Sequence, residues 1–208
     1  MSLRRVVLLR HGQTDHNVEG RMQGHIDSTL TAAGLEQARE AAPQLARFRP
    51  TRLISSDLSR AARTADEVAA VTGLTVEHDR RLRETDLGDW GGQSIVEIEQ
   101  TTPGAIDAWR SDPSWRPPAG ETRVEVVARS VPLVEELDAE YAESDADVTV
   151  LLVAHSGVIA GMVSGLLDLP QTVWPAVGGM GNAHWAVLGR RPGKSMWRLT
   201  AYNMGVTR

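Results

Sequence analysis

An α/β fold built on parallel strands is the prediction, and three observations carry it. Two continuous apolar runs, Val6-Val7-Leu8-Leu9 and Val148-Thr149-Val150-Leu151-Leu152-Val153-Ala154, have the length of strands and lack polar alternation, which is the pattern of strands buried on both faces. Each leads into a histidine with a glycine close behind, Arg10-His11-Gly12 and His155-Ser156-Gly157, so each strand is expected to end in a tight turn. Between the two, segments of helical periodicity alternate with short apolar runs, the order of an α/β chain. At 208 residues and 41% hydrophobic, the chain is long enough for one large domain with a substantial core, and a single domain over 1–208 is expected.

The elements follow in order. After the first strand, residues 13–28 are polar and glycine-punctuated and read as a loop or broken helix beside a site. Thr31 caps a helix through about Phe48, with Leu35, Ala38, Ala42, Leu45 and Phe48 on one face, and Pro50 ends it. Leu53-Ile54-Ser55-Ser56 is a second buried strand. Asp57 is read as the cap of a helix carrying Leu58, Ala61, Ala65, Val68 and Val71 that stops at Gly73, and Thr75-Val76-Glu77 is a third strand. From Arg80 to Pro118 the pattern loosens around Trp90, Trp109 and Trp115, so residues at about 85–120 are expected to form an insertion that lines one wall of a crevice. Residues 121–143 are helical despite Pro132, residues 158–167 form a helix that Pro170 terminates, and two strands, 183–188 and 196–202, flank a hairpin-like turn at Arg190-Arg191-Pro192-Gly193.

Composition narrows the function. A net charge of −5 argues against nucleic acid or an anionic membrane surface as the main partner, since both demand a positive surplus. No apolar stretch reaches the length of a membrane span and the N-terminus lacks a secretory cleavage pattern, so a cytosolic, cytoplasmic protein is expected. The absence of cysteine removes disulfides, thiolate nucleophiles and thiolate metal sites. Histidine is then the leading candidate for covalent catalysis.

Open α/β sheets bind ligands beyond the carboxyl ends of their strands, so His11 and His155 are expected to face each other across one crevice. An imidazole is a nucleophile that is neutral near physiological pH, the Arg10 guanidinium offers forked donors to phosphate oxygens, and Gly12 would let a ligand approach the backbone. Phosphoryl transfer to histidine needs all three. Asn17 and Gln23 add uncharged donors, and Arg60, on the first turn of the helix after Asp57, joins His155 around the equatorial oxygens of a transferring phosphoryl group. Glu84, read as following a strand where a carboxyl is partly shielded, is the candidate proton donor to the leaving oxygen.

Leu9-Arg10-His11-Gly12-Gln13-Thr14, Ser55-Ser56-Asp57-Leu58-Ser59-Arg60, Leu82-Arg83-Glu84 with Gly88-Asp89-Trp90-Gly91, and Val153-Ala154-His155-Ser156-Gly157 occur in the order seen in the histidine phosphatase superfamily. The chain resembles that phosphoglycerate-mutase-like superfamily over nearly its whole length. The resemblance implies a three-layer α/β/α sandwich with a central, mostly parallel sheet and a phosphohistidine formed on His11. It implies a phosphate pocket of Arg10, Arg60 and His155, with Glu84 as acid and then base. Gly12, Asn17, Gln23, Gly24 and Ser156 complete the expected substrate-binding set. Within the superfamily the chain is most similar to the actinobacterial glucosyl-3-phosphoglycerate phosphatases, through Arg21-Met22-Gln23-Gly24, Trp174-Pro175-Ala176-Val177-Gly178-Gly179-Met180-Gly181-Asn182-Ala183 and Trp197-Arg198-Leu199. Ser156 departs from the glycine usual after the second histidine, which adds a donor or narrows the pocket.

Taken singly, each residue has a plainer reading. Arg60 could pair with Asp57 or Asp66, Glu84 could be an ordinary cap, and His16, His25, His78 and His184 read as surface or rim residues, with His25 the nearest to substrate. Asp86, Asp107 and Asp112 do not make a metal cluster, so neither metal nor cofactor is expected. The function the resemblance implies is a metal-independent phosphomonoesterase that removes phosphate from glucosyl-3-phosphoglycerate or a related small phosphorylated metabolite. The alternatives are a phosphoglycerate mutase, which the resemblance implies would carry a longer insertion with Lys and paired Arg residues where this chain has Trp109-Arg110-Ser111-Asp112 and Trp115-Arg116-Pro117, a broad-specificity phosphatase, and a catalytically silent binding module. Sequence leaves the oligomeric state open, a homodimer being compatible with the tryptophan-rich segments and with the resemblance.

Overall fold

The computed structural model describes residues 3–143, 146–191 and 193–206. Strands β1 (Leu3–Arg10), β2 (Arg52–Ser55), β3 (Val76–His78), β4 (Val148–Ala154), β5 (Trp185–Gly189) and β6 (Arg198–Met204) form one sheet in the order β3-β2-β4-β1-β5-β6. The first four run parallel, while β5 pairs antiparallel with β1 and β6 with β5. The expected mostly parallel sheet is therefore present. Every residue of β4 is buried, as a continuous apolar run in a central strand requires.

Beyond β1 the chain makes one short helix, α1 (Asp15–Glu19), closed at its start by a capping box of Thr14 and Asn17. Side chains alternate across the sheet and recruit a helical layer on each face. Val7, Leu9, Leu53, Leu151 and Val153 pack against Ala41, Ala42 and Leu45 of α2 (Ala32–Ala46) and Ala61, Ala65 and Val68 of α3 (Ser59–Thr72). Residues 85–120 hold a short 3-10 turn and two short helices, α4 (Ile95–Thr101) and α5 (Ala105–Ser111), around a separate small cluster of Leu87, Trp90, Ile98, Ala105 and Ile106. Trp109 and Trp115 pack onto this cluster, each against Trp90.

On the opposite face of the sheet, Val6, Leu8, Val150 and Leu152 pack against Val126, Leu133 and Val134 of α6 (Arg123–Glu140) and Val158, Ile159 and Met162 of α7 (Ser156–Leu166). Chain leaving β1 therefore runs to one face and chain leaving β4, its neighbour, runs to the other. That divergence opens a crevice at the carboxyl ends of these two strands. Among the described residues, no helix is long and apolar enough to cross a membrane.

Several local expectations change. Asp57 does not cap α3: the cap position is Leu58, without a side-chain hydrogen bond, because both Asp57 oxygens accept from Arg83 at 2.7 and 2.6 Å. Regular α2 stops at Ala46 and tapers through i→i−3 bonds at Arg47, Phe48 and Arg49, so Pro50 follows a helix already closed. Val71 is 50% exposed instead of joining the core. Pro192, in the anticipated turn between β5 and β6, lies outside the described residues.

The loop after β1 and the start of α2 cross at two glycines. A Cβ on Gly12 would lie 2.2 Å from the Gly34 carbonyl oxygen, and one on Gly34 would lie 2.0 Å from that of Gln13. Helix propensity alone makes Gly34→Ala stabilising by about 1 kcal/mol. The backbone clash predicts the opposite sign: a loss of roughly 3 kcal/mol, or a melting temperature lower by about 6–12 °C, read by calorimetry. An unchanged or raised melting temperature would mean that the crossing relaxes freely.

Candidate active site

His11 follows directly on β1, and His155 follows β4 at the cap position of α7. The parallel register pairs Arg10 with Ala154, and the His11 amide donates to the Ala154 carbonyl at 3.1 Å, so the two imidazoles emerge side by side with ring centroids 5.1 Å apart. The expected confrontation of the histidines is what the structure holds.

His11 Nδ1 lies 2.7 Å from the Gly12 carbonyl oxygen. A carbonyl can only accept, so Nδ1 carries the proton and Nε2 keeps a bare lone pair. Burial, then the guanidiniums of Arg10 and Arg60, hold His11 well below the ordinary histidine range, so the ring is neutral at physiological pH. His155 is fully buried: Arg60 Nε donates to its Nδ1 at 3.2 Å, and its Nε2, necessarily protonated, donates to Ser56 Oγ at 2.9 Å. Its pKa too is driven well down, by burial and then by Arg60. With both nitrogens engaged, His155 backs His11 and Arg60 instead of lining the cavity.

Arg60 is 1% exposed and makes no salt bridge among the described residues; Asp57 is held by Arg83 and Asp66 by Arg63. Its Nη1 and Nη2 donate to the carbonyls of Ile26 and Gly24, each at 2.8 Å. Three of its five N–H groups are thus spent on neutral acceptors, and burial pushes its pKa down to about 10, still cationic. Arg10 donates from Nη1 to the Met180 carbonyl, and its buried Nε has no partner among the described residues. Two desolvated guanidiniums with unspent donors beside a neutral nucleophile make a site for a tetrahedral oxyanion.

Glu84 closes the arrangement from the α7 side. It follows a 3-10 turn, Arg80–Leu82, not a strand, and its surroundings are backbone donors, not an apolar pocket. Thr85 N, Val158 N and Gly157 N donate to its oxygens at 2.8, 3.1 and 3.0 Å. Gly157 leaves room for this carboxylate: a Cβ there would lie 2.5 Å from Glu84 Oε1 and displace it.

Arg10, His11, Asn17, Gln23, Gly24, Arg60, Glu84 and Ser156 all line one cavity of about 530 Å³. Asn17 Oδ1 accepts from Thr14 N and Asn182 Nδ2, which leaves its amide NH₂ to donate. Ser156 Oγ accepts from Met180 N at 2.9 Å, so this hydroxyl pins the 178–181 loop that also receives Arg10. Gly12 does not belong to the binding set. Its N–H donates to Thr64 Oγ1, its carbonyl accepts from His11, and its missing side chain makes room for Gly34, not for a ligand.

Other lining residues escaped the sequence reading. Arg110 and Arg123 face the cavity together with Trp109, over whose ring the Arg123 guanidinium lies at 5.2 Å, and burial followed by Arg110 lowers the Arg123 pKa. Trp109 Nε1 is buried with no partner among the described residues. The crevice wall therefore carries a second basic cluster, built from Arg110 of α5 and Arg123 of the first turn of α6. Ser56 was read only as the end of a strand, and Arg123 only as part of the helix over 121–143. Among the described residues, no group of three or more His, Asp or Glu is placed to hold a metal ion.

Burial of His11 and His155 as neutral rings couples folding to pH. Below about 6.5 the unfolded histidines bind protons that the folded ones refuse, so stability is full above that pH and falls as pH drops through it, by up to about 1.4 kcal/mol per histidine per pH unit. The melting temperature is expected to decline from pH 6.5 to 5, and more shallowly in His155→Gln. An equal slope in the variant would show that His155 is not held neutral.

Comparison with known proteins agrees with this geometry. A glucosyl-3-phosphoglycerate phosphatase of Mycobacterium tuberculosis is 49% identical over 98% of this chain and 96% of its own. A protein of the same name from Mycolicibacterium vanbaalenii is 46% identical over the same shares. A solved mycobacterial glucosyl-3-phosphoglycerate phosphatase in complex with VO3 superposes with a TM-score of 0.91 at 51% identity, covering 96% of this chain and 98% of that one. The sequence model of the histidine phosphatase superfamily, branch 1, matches residues 6–205, and the chain belongs to that superfamily.

Proposed function

We propose that the chain is a metal-independent phosphomonoesterase that works through a phosphohistidine on His11 and takes glucosyl-3-phosphoglycerate as its substrate. The observation that carries the reading is the state of His11: neutral, with Nδ1–H fixed on the Gly12 carbonyl and Nε2 bare, beside two desolvated guanidiniums whose hydrogen bonds among the described residues go to neutral acceptors. In the first step the Nε2 lone pair forms the N–P bond as the P–O ester bond breaks, and Glu84 gives the departing alkoxide a proton. In the second, water attacks phosphorus, its proton passes to the Glu84 carboxylate, and the N–P bond breaks to restore neutral His11. Arg10 and Arg60 hold the equatorial oxygens throughout, while His155 keeps Arg60 Nε and the His11 ring in place.

Support for the substrate comes from the names of the similar proteins and from the far end of the cavity. Arg110 and Arg123 match a carboxylate, the unpartnered Trp109 Nε1 matches a hydroxyl or carboxylate oxygen, and Met22, Leu87 and Trp174 offer apolar contact to a sugar face. Phosphate release without added metal should favour glucosyl-3-phosphoglycerate over 3-phosphoglycerate and p-nitrophenyl phosphate by at least ~10-fold in kcat/KM. Arg123→Ala should raise KM for the glucosylated substrate on the order of 10-fold and leave p-nitrophenyl phosphate unchanged. Equal rates on all three substrates would remove the assignment. Conversion of 3-phosphoglycerate to its 2-isomer would favour the mutase reading to which the second basic cluster also lends itself.

A further inference from the structure

A second basic concavity lies at the other end of the sheet. It has a volume of about 570 Å³ and is lined by six arginines, Arg4, Arg5, Arg49, Arg190, Arg191 and Arg198, and one carboxylate, Asp147, around the ring of Phe48. Arg5 stands at the start of β1 and His11 just past its end, so the two sites are separated by roughly 17–20 Å of strand. Arg4 pairs with Asp147 and Arg190 with Asp138. Among the described residues the Arg5 side chain donates to Thr149 Oγ1 at 3.5 Å, and its guanidinium lies over the Phe48 ring at 5.7 Å. For Arg5, Arg49, Arg191 and Arg198 there is no carboxylate partner among the described residues. Arg49 is held at φ +51°, a left-handed conformation uncommon for a side-chain-bearing residue.

In a chain with 27 acidic against 22 basic residues, surface arginines should find carboxylates easily, and most here do. Arg5, Arg49, Arg191 and Arg198 are all exposed, and four guanidiniums without carboxylate partners on one groove give it a positive field that solvent and salt weaken and that an anion between them would satisfy. We propose that this groove is an anion site, independent of the catalytic one, that takes a small molecule carrying two phosphoryl groups. The volume is that of a small-molecule site. Four guanidiniums without carboxylate partners supply enough paired N–H donors for two tetrahedral anions. A nucleic acid would need an extended basic stripe, which the net charge of −5 does not favour.

The test is calorimetric titration with methylenediphosphonate, whose P–C–P bridge resists hydrolysis, at about 0.15 M salt. Binding is expected to persist in Arg10→Ala, which disables the catalytic pocket. In Arg191→Ala/Arg198→Ala the groove component is expected to weaken at least 10-fold, with p-nitrophenyl phosphate hydrolysis within twofold of the parent chain. That retained hydrolysis reports a folded variant; if it is lost, Arg198→Gln alone repeats the titration. Loss of all binding in Arg10→Ala, or parental binding in the groove variants, overturns the proposal.

Discussion

Replacing His11 with alanine is expected to lower turnover of p-nitrophenyl phosphate by on the order of 10⁴-fold or more, the scale of losing a covalent nucleophile. The expectation comes from how completely the ring is prepared. Burial and two guanidiniums keep it unprotonated, and the Gly12 carbonyl fixes the tautomer, so Nε2 is nucleophilic without a separate base. Nothing beside it can substitute: His155 has both nitrogens committed to Arg60 and Ser56, and Ser156 Oγ is held by Met180 N. The chemical form of the intermediate gives a second readout. Brief exposure to ³²P-labelled substrate followed by denaturation should leave an alkali-stable, acid-labile label on the parent chain and none on His11→Ala. Normal turnover in the variant, or an acid-stable label in the parent, would remove the phosphohistidine route.

The parts of the site that sequence made legible are those carried by buried strands. A continuous apolar run has few ways to sit other than inside a sheet, so the positions of Arg10, His11 and His155 at strand ends followed from local pattern and a general rule about open sheets. Glu84 was placed by motif order, and its local setting was misread. Its position depends on the N-terminus of α7, more than 70 residues further along, and on Gly157 making room for it; neither leaves a trace near residue 84. Gly12 was misassigned for a related reason. A glycine beside a nucleophile suggests close approach by a ligand, yet the group that approaches is the backbone of Gly34, and sequence cannot separate the two. Arg110 and Arg123 lie in or next to a segment with little periodicity, and only the packing of Trp90, Trp109 and Trp115 turns them toward the cavity.

Replacing Glu84 with glutamine is expected to reduce kcat by ~10²–10⁴-fold on alkyl phosphates, and by less than about 10-fold on p-nitrophenyl phosphate. The division follows from what each leaving group needs. An alkoxide departs slowly unless it is protonated as the P–O bond breaks, whereas a nitrophenolate leaves without help. The comparison carries its own control, because the introduced amide would turn an NH₂ toward the backbone donors of Thr85, Gly157 or Val158, and any resulting strain lowers both rates together. A loss common to both substrates would therefore assign Glu84 a positioning role at the start of α7 and leave the proton to another donor. Gly157→Ala tests the same carboxylate without altering it. The new Cβ would stand 2.5 Å from Oε1, so the carboxylate must move, and the same dependence on leaving group is expected with the Glu84 side chain intact. If Gly157→Ala spared alkyl phosphates while Glu84→Gln did not, the carboxylate would be reaching the leaving oxygen from a position other than the one held by Gly157 and Val158.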